Sequence, residues 1–149
     1  MKTLFSFVLL LIFASNLSNA ASDTDVFKIQ AFKVTIEKDK IVIVAKAEIY
    51  FINSKILIFQ GMRIKTENTT FIIHRPKLNF NDPDGTHAKD KEKSKQVLDD
   101  AWRMTLESAK ALQDGKEVGR IGYYGPEIVI KKNKVQSIKG GGYIYPKAK

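Results

Sequence analysis

The clearest structural signal in this 149-residue chain is the stretch Lys40-Ile41-Val42-Ile43-Val44-Ala45-Lys46-Ala47-Glu48-Ile49-Tyr50-Phe51. It follows the turn Lys38-Asp39-Lys40 and begins with the continuous apolar run Ile41–Val44. Apolar runs of this length are typical of a strand that is covered on both of its faces. The stretch therefore predicts a buried β-strand.

Strand patterns continue on both sides of this stretch, over residues 26–80. Apolar side chains occupy odd positions from Phe27 to Ala31 and even positions from Phe32 to Ile36, which indicates a bulge near Ala31-Phe32. The remaining predicted features are a turn at Asn53–Lys55, a strand from Ile56 with a bulge at Gly61, a turn at Asn68–Thr70, and a strand Phe71–His74 that stops before Pro76.

A helix is predicted from about residue 90 to residue 114, after a cluster of turn formers at Asn81–Gly85. Apolar residues recur there at helical spacing, while the opposite face is charged. Trp102 should point inward from the apolar face, and Gly115 should end the helix. This face consists of Leu98, Ala101, Trp102, Thr105, Ala109 and Leu112, flanked by Val97 and Met104.

Strand patterns return after the helix. The predicted features are strands Val118–Tyr124 and Glu127–Lys132, a turn at Asn133, a strand Val135–Ile138, a break at Gly140–Gly142 and a strand Tyr143–Tyr145. The predicted fold class is α+β. It comprises an antiparallel, curved or two-layer β-sheet of about 7–8 strands, with one amphipathic helix (about 90–114) packed on it between strands four and five.

The first twenty residues predict export. Lys2 is followed by the apolar run Leu4–Ala14 and then by small residues at Ser18–Ala20, which is the three-part pattern of a signal peptide. The run is too short for a membrane span, which needs roughly 20 apolar residues. We therefore expect a signal peptide at 1–20 and a single exported β-rich domain at 21–149. This domain should be secreted or periplasmic, with no transmembrane anchor after cleavage.

Composition narrows the range of partners. The chain has no cysteine, which excludes thiol catalysis, thiolate metal sites and disulfides. It carries 25 Lys and Arg against 16 Asp and Glu, a formal net charge of +9, and no acidic residue follows Glu127. Such a charge favours an anionic lipid, an acidic polysaccharide or an envelope protein as partner. Export argues against nucleic acid. The alternative is that the charge simply keeps the domain soluble.

No catalytic or metal-binding pattern stands out. The histidines are His74 and His87, and His74 lies within an apolar strand, where a structural histidine is expected. The segment Asp82–His87 gathers carboxylates and an imidazole, but an EF-hand loop starting there would need Glu where Lys93 stands. We therefore expect neither an enzyme nor a cofactor or metal site.

Tyrosines beside glycines and a lysine-rich C-terminal region are the candidate ligand-binding features. Exposed tyrosines on a sheet can stack on sugar rings or line a lipid slot, and lysines can meet anionic groups. The alternative is that these rings pack the sheet edge against the helix. The candidate residues are Tyr123, Tyr124, Tyr143, Tyr145, Lys131, Lys132, Lys134 and Lys139.

Residues 32–80 resemble the OstA-like family of periplasmic lipopolysaccharide-transport proteins. The resemblance is carried by Ala45–Phe51, by Ile56–Ile64 with its Gly61, and by Phe71–Phe80. It implies an open jelly roll of short antiparallel strands, an apolar slot for acyl chains, and edge strands that join partner proteins. The predicted helix has no counterpart in that family, and no site residue is carried over from it.

These observations lead to three hypotheses about function. The first is non-catalytic binding of an amphiphilic or anionic envelope component, with lipid or lipopolysaccharide handling as its most specific form. The second is a protein–protein interaction module that pairs through an exposed strand edge. The third is a small hydrolase of envelope polymers, for which Glu48 and Glu127 are the available carboxylate pair.

Overall fold

The computed structural model describes residues 23–51, 62–77 and 91–148. Within these ranges the α+β class is confirmed, with six strands rather than seven or eight. The predictions for residues 1–20, 53–61 and 81–87 lie outside the described residues. The elements are β1 (Thr24–Ile36), β2 (Lys40–Phe51), β3 (Arg63–His74), α1 (Lys91–Gln113), β4 (Arg120–Tyr123), β5 (Glu127–Lys131) and β6 (Lys134–Tyr145).

Five of these strands close into a barrel. β2 pairs with β1 and β3, and β4 pairs with β1 and β6, all antiparallel. The ring is completed by β3 and β6, which run parallel, a pairing that the sequence pattern did not reveal. β5 continues beyond β4 along the same edge of β6. This strand order, with α1 between β3 and β4, is the topology of the five-stranded Greek-key barrel known as the OB-fold.

Two bulges bend β1. Lys28 has a left-handed backbone with φ of 52°, and the register with β2 shifts around this residue and again around Phe32. Each bulge adds one residue to β1 and so changes which positions face the core. Even-numbered residues face inward before Lys28, odd-numbered residues between the two bulges, and even-numbered residues again after Phe32. The bulge at Phe32 is the predicted one. The bulge at Lys28 was not predicted, and Val26 rather than Phe27 therefore faces the core.

Alternate residues of β2 face the barrel interior. Ile41 and Ile43 are fully buried, whereas Val42 and Val44 are half-buried on the outer face. The expectation that both faces of this run are covered is therefore wrong, because a strand in a small barrel has one outward side. Side chains fill the described core, and its largest buried members are Trp102, Tyr123, Phe51 and Phe71.

Helix α1 packs against β1 and β6. Trp102 points inward as predicted: it is 2% exposed, and its Nε1–H donates to the Lys38 carbonyl oxygen at 3.0 Å. Thr105 Oγ1 accepts the N–H of Ile144 at 3.1 Å. A helix side chain thus satisfies a buried backbone donor on β6.

The C-terminal end of α1 is also as predicted. Gly115 has φ of 78°, which a residue without Cβ adopts at little cost. The N–H groups of Gly115 and Lys116 donate to the carbonyl oxygens of Leu112 and Ala111, which is the Schellman arrangement. Val97, which flanks the predicted apolar face, is exposed.

The glycine run Gly140–Gly142 does not break β6, contrary to the prediction. The strand continues through it, and Gly142 lies opposite Tyr123 of β4. A Cβ at Gly142 would overlap the Gly122 carbonyl oxygen, so glycine here allows two strands to approach closely. Asn68–Thr70, predicted as a turn, likewise lies within β3.

Candidate functional site

Two of the four candidate tyrosines, Tyr123 and Tyr143, are buried, and Tyr123 is the more deeply buried of the two. Tyr123 lies inside the barrel, 1% exposed, and its single hydroxyl hydrogen is shared between the carbonyl oxygens of Ile72 and Ile138, which lie 3.1 and 3.3 Å from the hydroxyl oxygen. Burial raises the pKa of this hydroxyl well above its ordinary value. Tyr123 therefore links β3 to β6 from within and is not accessible to a ligand.

Tyr124, Tyr143 and Tyr145 form a cluster on the outside of the barrel. The hydroxyls of Tyr124 and Tyr145 are 3.3 Å apart, and the rings of Tyr124 and Tyr143 meet edge to face with centroids 6.1 Å apart. The hydrogen bond with Tyr145 raises the pKa of Tyr124 to about 12. Tyr143 is 7% exposed and Tyr124 is 57% exposed, so Tyr124 offers the larger accessible ring.

Arg120 covers one side of Tyr145. Its guanidinium carbon lies 4.1 Å from the ring centroid, and its Nη1 donates to Asp25 Oδ1 at 3.0 Å. Because Asp25 offsets the charge of Arg120, this tyrosine cluster suits a neutral ring better than an anion.

Lys131, Lys132 and Lys134 lie at the β5–β6 hairpin, at the other end of β6 from the tyrosines. Lys132 and Asn133 have φ of 52° and 62°, as in the two-residue I′ turn of a hairpin. At the usual strand rise, the stretch of β6 from Lys134 to Tyr143 is about 30 Å long. The structure therefore does not bring the candidate tyrosines and the hairpin lysines into one site.

Lys139, in the middle of β6, borders a basic cleft instead. It lies opposite Ile72 of β3, while Gly141 lies opposite His74. The β1–β2 turn, the end of β3 and the start of α1 form the rest of this cleft. We call it the His74 cleft, and its charged lining residues are Lys38, Asp39, Lys40, His74, Arg75, Lys77, Lys95 and Asp99.

The two carboxylates of the His74 cleft are already paired. Arg75 forms ion pairs with Asp39, at 3.6 Å, and with Asp99. Lys40 pairs with Glu37 at 3.3 Å. The cleft keeps an excess of positive charge, because no ion pair with another described residue neutralises Lys38, Lys77, Lys95 or Lys139.

The surroundings of His74 disfavour its protonated form. Its partial burial, together with the charges of Lys139 and Lys40, lowers the pKa of the imidazole below its ordinary value. The neutral imidazole is therefore favoured in the free cleft, since one more positive charge there would be repelled. A bound anion would favour the protonated form instead.

Sequence reasoning selected Lys139 but missed the rest of this cleft. Lys40 and His74 lie directly opposite each other on β2 and β3, although they are far apart in the sequence. One signal was available: Phe71 and Ile73 are inward residues, so strand alternation places His74 on the outer face. The neighbours contributed by α1 and β6 had no signal in the sequence, because they depend on the tertiary fold.

A second cleft, between β1 and the segment after α1, has fewer unpaired lysines than the His74 cleft. Of its basic lining residues, Lys28 pairs with Glu48 at 3.1 Å and Lys147 pairs with Glu117. Arg63 and Lys116 also line it and form no ion pair with a described residue. Glu48, one of the two carboxylates considered for hydrolysis, is thus held by a lysine. Over the described ranges, no three His, Asp or Glu side chains are placed to hold a metal ion.

No protein-family model, curated protein or solved structure matches this chain. Among the described residues, no helix combines the length and the apolar character that crossing a membrane requires. Surface geometry and charge are therefore the observations from which function is inferred.

Proposed function

We propose that this protein is an exported, non-catalytic binding protein for an anionic component of the cell envelope, and that the His74 cleft receives the anionic group. The observation that carries the proposal is the excess of lysines around His74 that lack carboxylate partners among the described residues. Lipid or lipopolysaccharide handling is its most specific form, in which the anionic group is a headgroup phosphate.

The lysines of the cleft suit a loosely held, multiply charged ligand. A lysine ammonium is a compact, hydrated charge on a flexible stem, without the fixed two-pronged geometry of arginine. Each lysine near an anionic surface contributes about 1 kcal/mol of attraction, which is screened by salt. Lys38, Lys77, Lys95 and Lys139 together would therefore give reversible, salt-sensitive binding.

The filled core favours contact at the surface over enclosure of an acyl chain. Trp102, Tyr123, Phe51 and Phe71 occupy the interior among the described residues. A headgroup or a charged sugar can reach the outer His74 cleft without displacing any of them. The apolar slot implied by the OstA-like resemblance stays a prediction.

The position of the cleft adds support by analogy. In OB-fold barrels, the outer face of the second and third strands and the loop between the first two commonly bind oligosaccharides or oligonucleotides. Lys38 in the β1–β2 turn, Lys40 on β2 and His74 on β3 lie in the same region here. Since a fold alone assigns no function, the charge pattern remains the stronger support.

Charge-neutralising substitutions test the proposal. Lys95→Gln and Lys139→Gln should each weaken binding to phosphatidylglycerol vesicles roughly fivefold, the equivalent of about 1 kcal/mol per lysine. Lys116→Gln removes an exposed lysine beyond the end of α1 and is the control with the same change in net charge. Equal effects of all three substitutions would contradict the proposal, as would equally strong binding to neutral phosphatidylcholine vesicles.

Two further measurements identify the class of ligand that bears the anionic group. Competition by a sulfated polysaccharide for vesicle binding would show that both ligands use the same cleft. Mass spectrometry of organic extracts from natively purified protein would reveal bound acyl chains. Stoichiometric lipid would support lipid handling, and its absence from several preparations would favour a polysaccharide.

A further inference from the structure

β5 presents a strand edge without a described partner. Its residues Glu127–Lys131 pair with β6 on one side, and none of the residues that the structure describes pairs with the other side. The barrel closes through β4, so β5 lies outside the closed ring. An exposed edge carries free backbone N–H and C=O groups that can pair with another strand.

The regular geometry of β5 makes this edge suitable for pairing. Where the register between β5 and β6 shifts, the extra residue is Gln136 of β6. The side chains of β5 therefore alternate between its two faces without interruption. Ile128 and Ile130 pack against the core and hold the strand in place. Val129, at the centre of the strand, is 38% exposed on the outer face.

The charges of β5 are complementary to those of a second β5. If two copies pair antiparallel about Val129, Glu127 of each copy lies opposite Lys131 of the other. Val129 then faces its own equivalent, as a two-fold axis requires. Opposite charges directly across a sheet attract each other. A register shifted by two residues in either direction loses both charge pairs.

The β5–β6 hairpin gives this pairing a second advantage. Lys131 lies directly opposite Lys134, where like charges repel. Glu127 of a second copy would lie on the other side of Lys131 and offset that repulsion. Glu127 also lies opposite Lys139 within its own hairpin. The row across the joined sheets would therefore contain Lys134 and Lys131 of one copy, then Glu127 and Lys139 of the other.

We propose that the edge of β5 is a homodimerisation surface, at which a second copy of this chain adds its own β5 antiparallel in the register centred on Val129. Five residues from each copy form a small contact, so the dimer is weak and concentration-dependent. The proposal does not rest on the proposed function, because a monomer with an intact His74 cleft would still bind anions.

Sedimentation velocity over a range of protein concentrations measures the dimer. Glu127→Lys and Lys131→Glu each place like charges at both symmetric contacts, so each should raise the dissociation constant roughly tenfold. The double substitution E127K/K131E restores opposite charges in the same register and should return the constant to nearly its original value. Glu107→Lys on α1 is exposed and changes the net charge as Glu127→Lys does, and it should leave dimerisation unchanged.

The proposal is overturned by a protein that stays monomeric up to its highest soluble concentration. It is equally overturned if the single substitutions leave the dimer unaffected, or if the double substitution is as weak as either single one. Fluorescence of Trp102, the chain's one tryptophan, shows whether each variant is folded. The dimer and vesicle experiments use different variants, so either proposal can fail without the other.

Discussion

At the residue scale, hydrogen-bond and charge partners separate structural side chains from those available to a ligand. The hydroxyl of Tyr123 is satisfied inside the barrel by Ile72 and Ile138. Lys95 and Lys139 are exposed and form no ion pair with a described carboxylate, although Glu127 lies across from Lys139 on β5. The first group stabilises the barrel, and the second gives the His74 cleft its charge.

Tyr123→Phe should lower the free energy of unfolding by about 1 kcal/mol, since the ring packing remains and the buried hydroxyl is lost. Chemical denaturation followed by Trp102 fluorescence measures the change. Tyr124→Phe is the matched control, because it removes an exposed hydroxyl and should alter stability by less than about 0.5 kcal/mol. Equal losses in the two variants would show that the Tyr123 hydroxyl does not link β3 to β6.

The sequence identifies the candidate tyrosines but not the face of the sheet on which each one lies. Tyr123 and Tyr124 are adjacent, so strand alternation requires one to face inward and one outward. Deciding which needs the register with β6, where Gly142 lies opposite Tyr123. Tyr143 and Tyr145 share a face of β6 by strand alternation, yet Tyr143 is 7% exposed while Tyr145 is half-buried.

At the element scale, the close approach of β4 and β6 depends on glycine at one position. Gly142→Ala should lower the free energy of unfolding by about 1–3 kcal/mol, because the new methyl group overlaps the Gly122 carbonyl oxygen. Gly141→Ala is the control: the nearest atom to its Cβ is Cγ of Pro76 at 3.8 Å, an ordinary contact. If thermal unfolding shows the same loss in both variants, the close approach does not determine stability.

Elements defined by local chemistry were predictable from the sequence. The helix spans Lys91–Gln113 against the predicted 90–114, because its apolar spacing and Gly115 are local signals. The bulge at Lys28 had no such signal, since a lysine with positive φ is held by its strand partners. The glycine run does not by itself distinguish a strand break from a continuous strand, because glycine occurs both in turns and in closely packed strands.

At the scale of the whole molecule, closure of the barrel determines where the His74 cleft lies. This closure could not be predicted from the sequence. Periodicity assigns faces to strands but does not assign their neighbours. The closing contacts join Thr24–Val26 to β4, and Thr70–His74 to Ser137–Gly141. The His74 cleft exists because these contacts bring the β1–β2 turn, β3, α1 and β6 together.

The two proposals use different surfaces of the same sheet. The His74 cleft lies where β3 meets β6, and the β5 edge lies on the other side of β6. A dimer through β5 would therefore carry two clefts on one continuous sheet. Simultaneous contact of both clefts with a polyanion would raise the overall affinity without any new contact.

The most direct test of the central claim is an NMR titration of His74 with and without a sulfated oligosaccharide. Burial, Lys139 and Lys40 hold the pKa of His74 below its ordinary value in the free protein. An anion in the cleft stabilises the protonated imidazole, so the ligand should raise this pKa, and binding should tighten as the pH falls through it. His74→Gln assigns the resonance. A His74 pKa that stays the same at saturating ligand would contradict the proposed site.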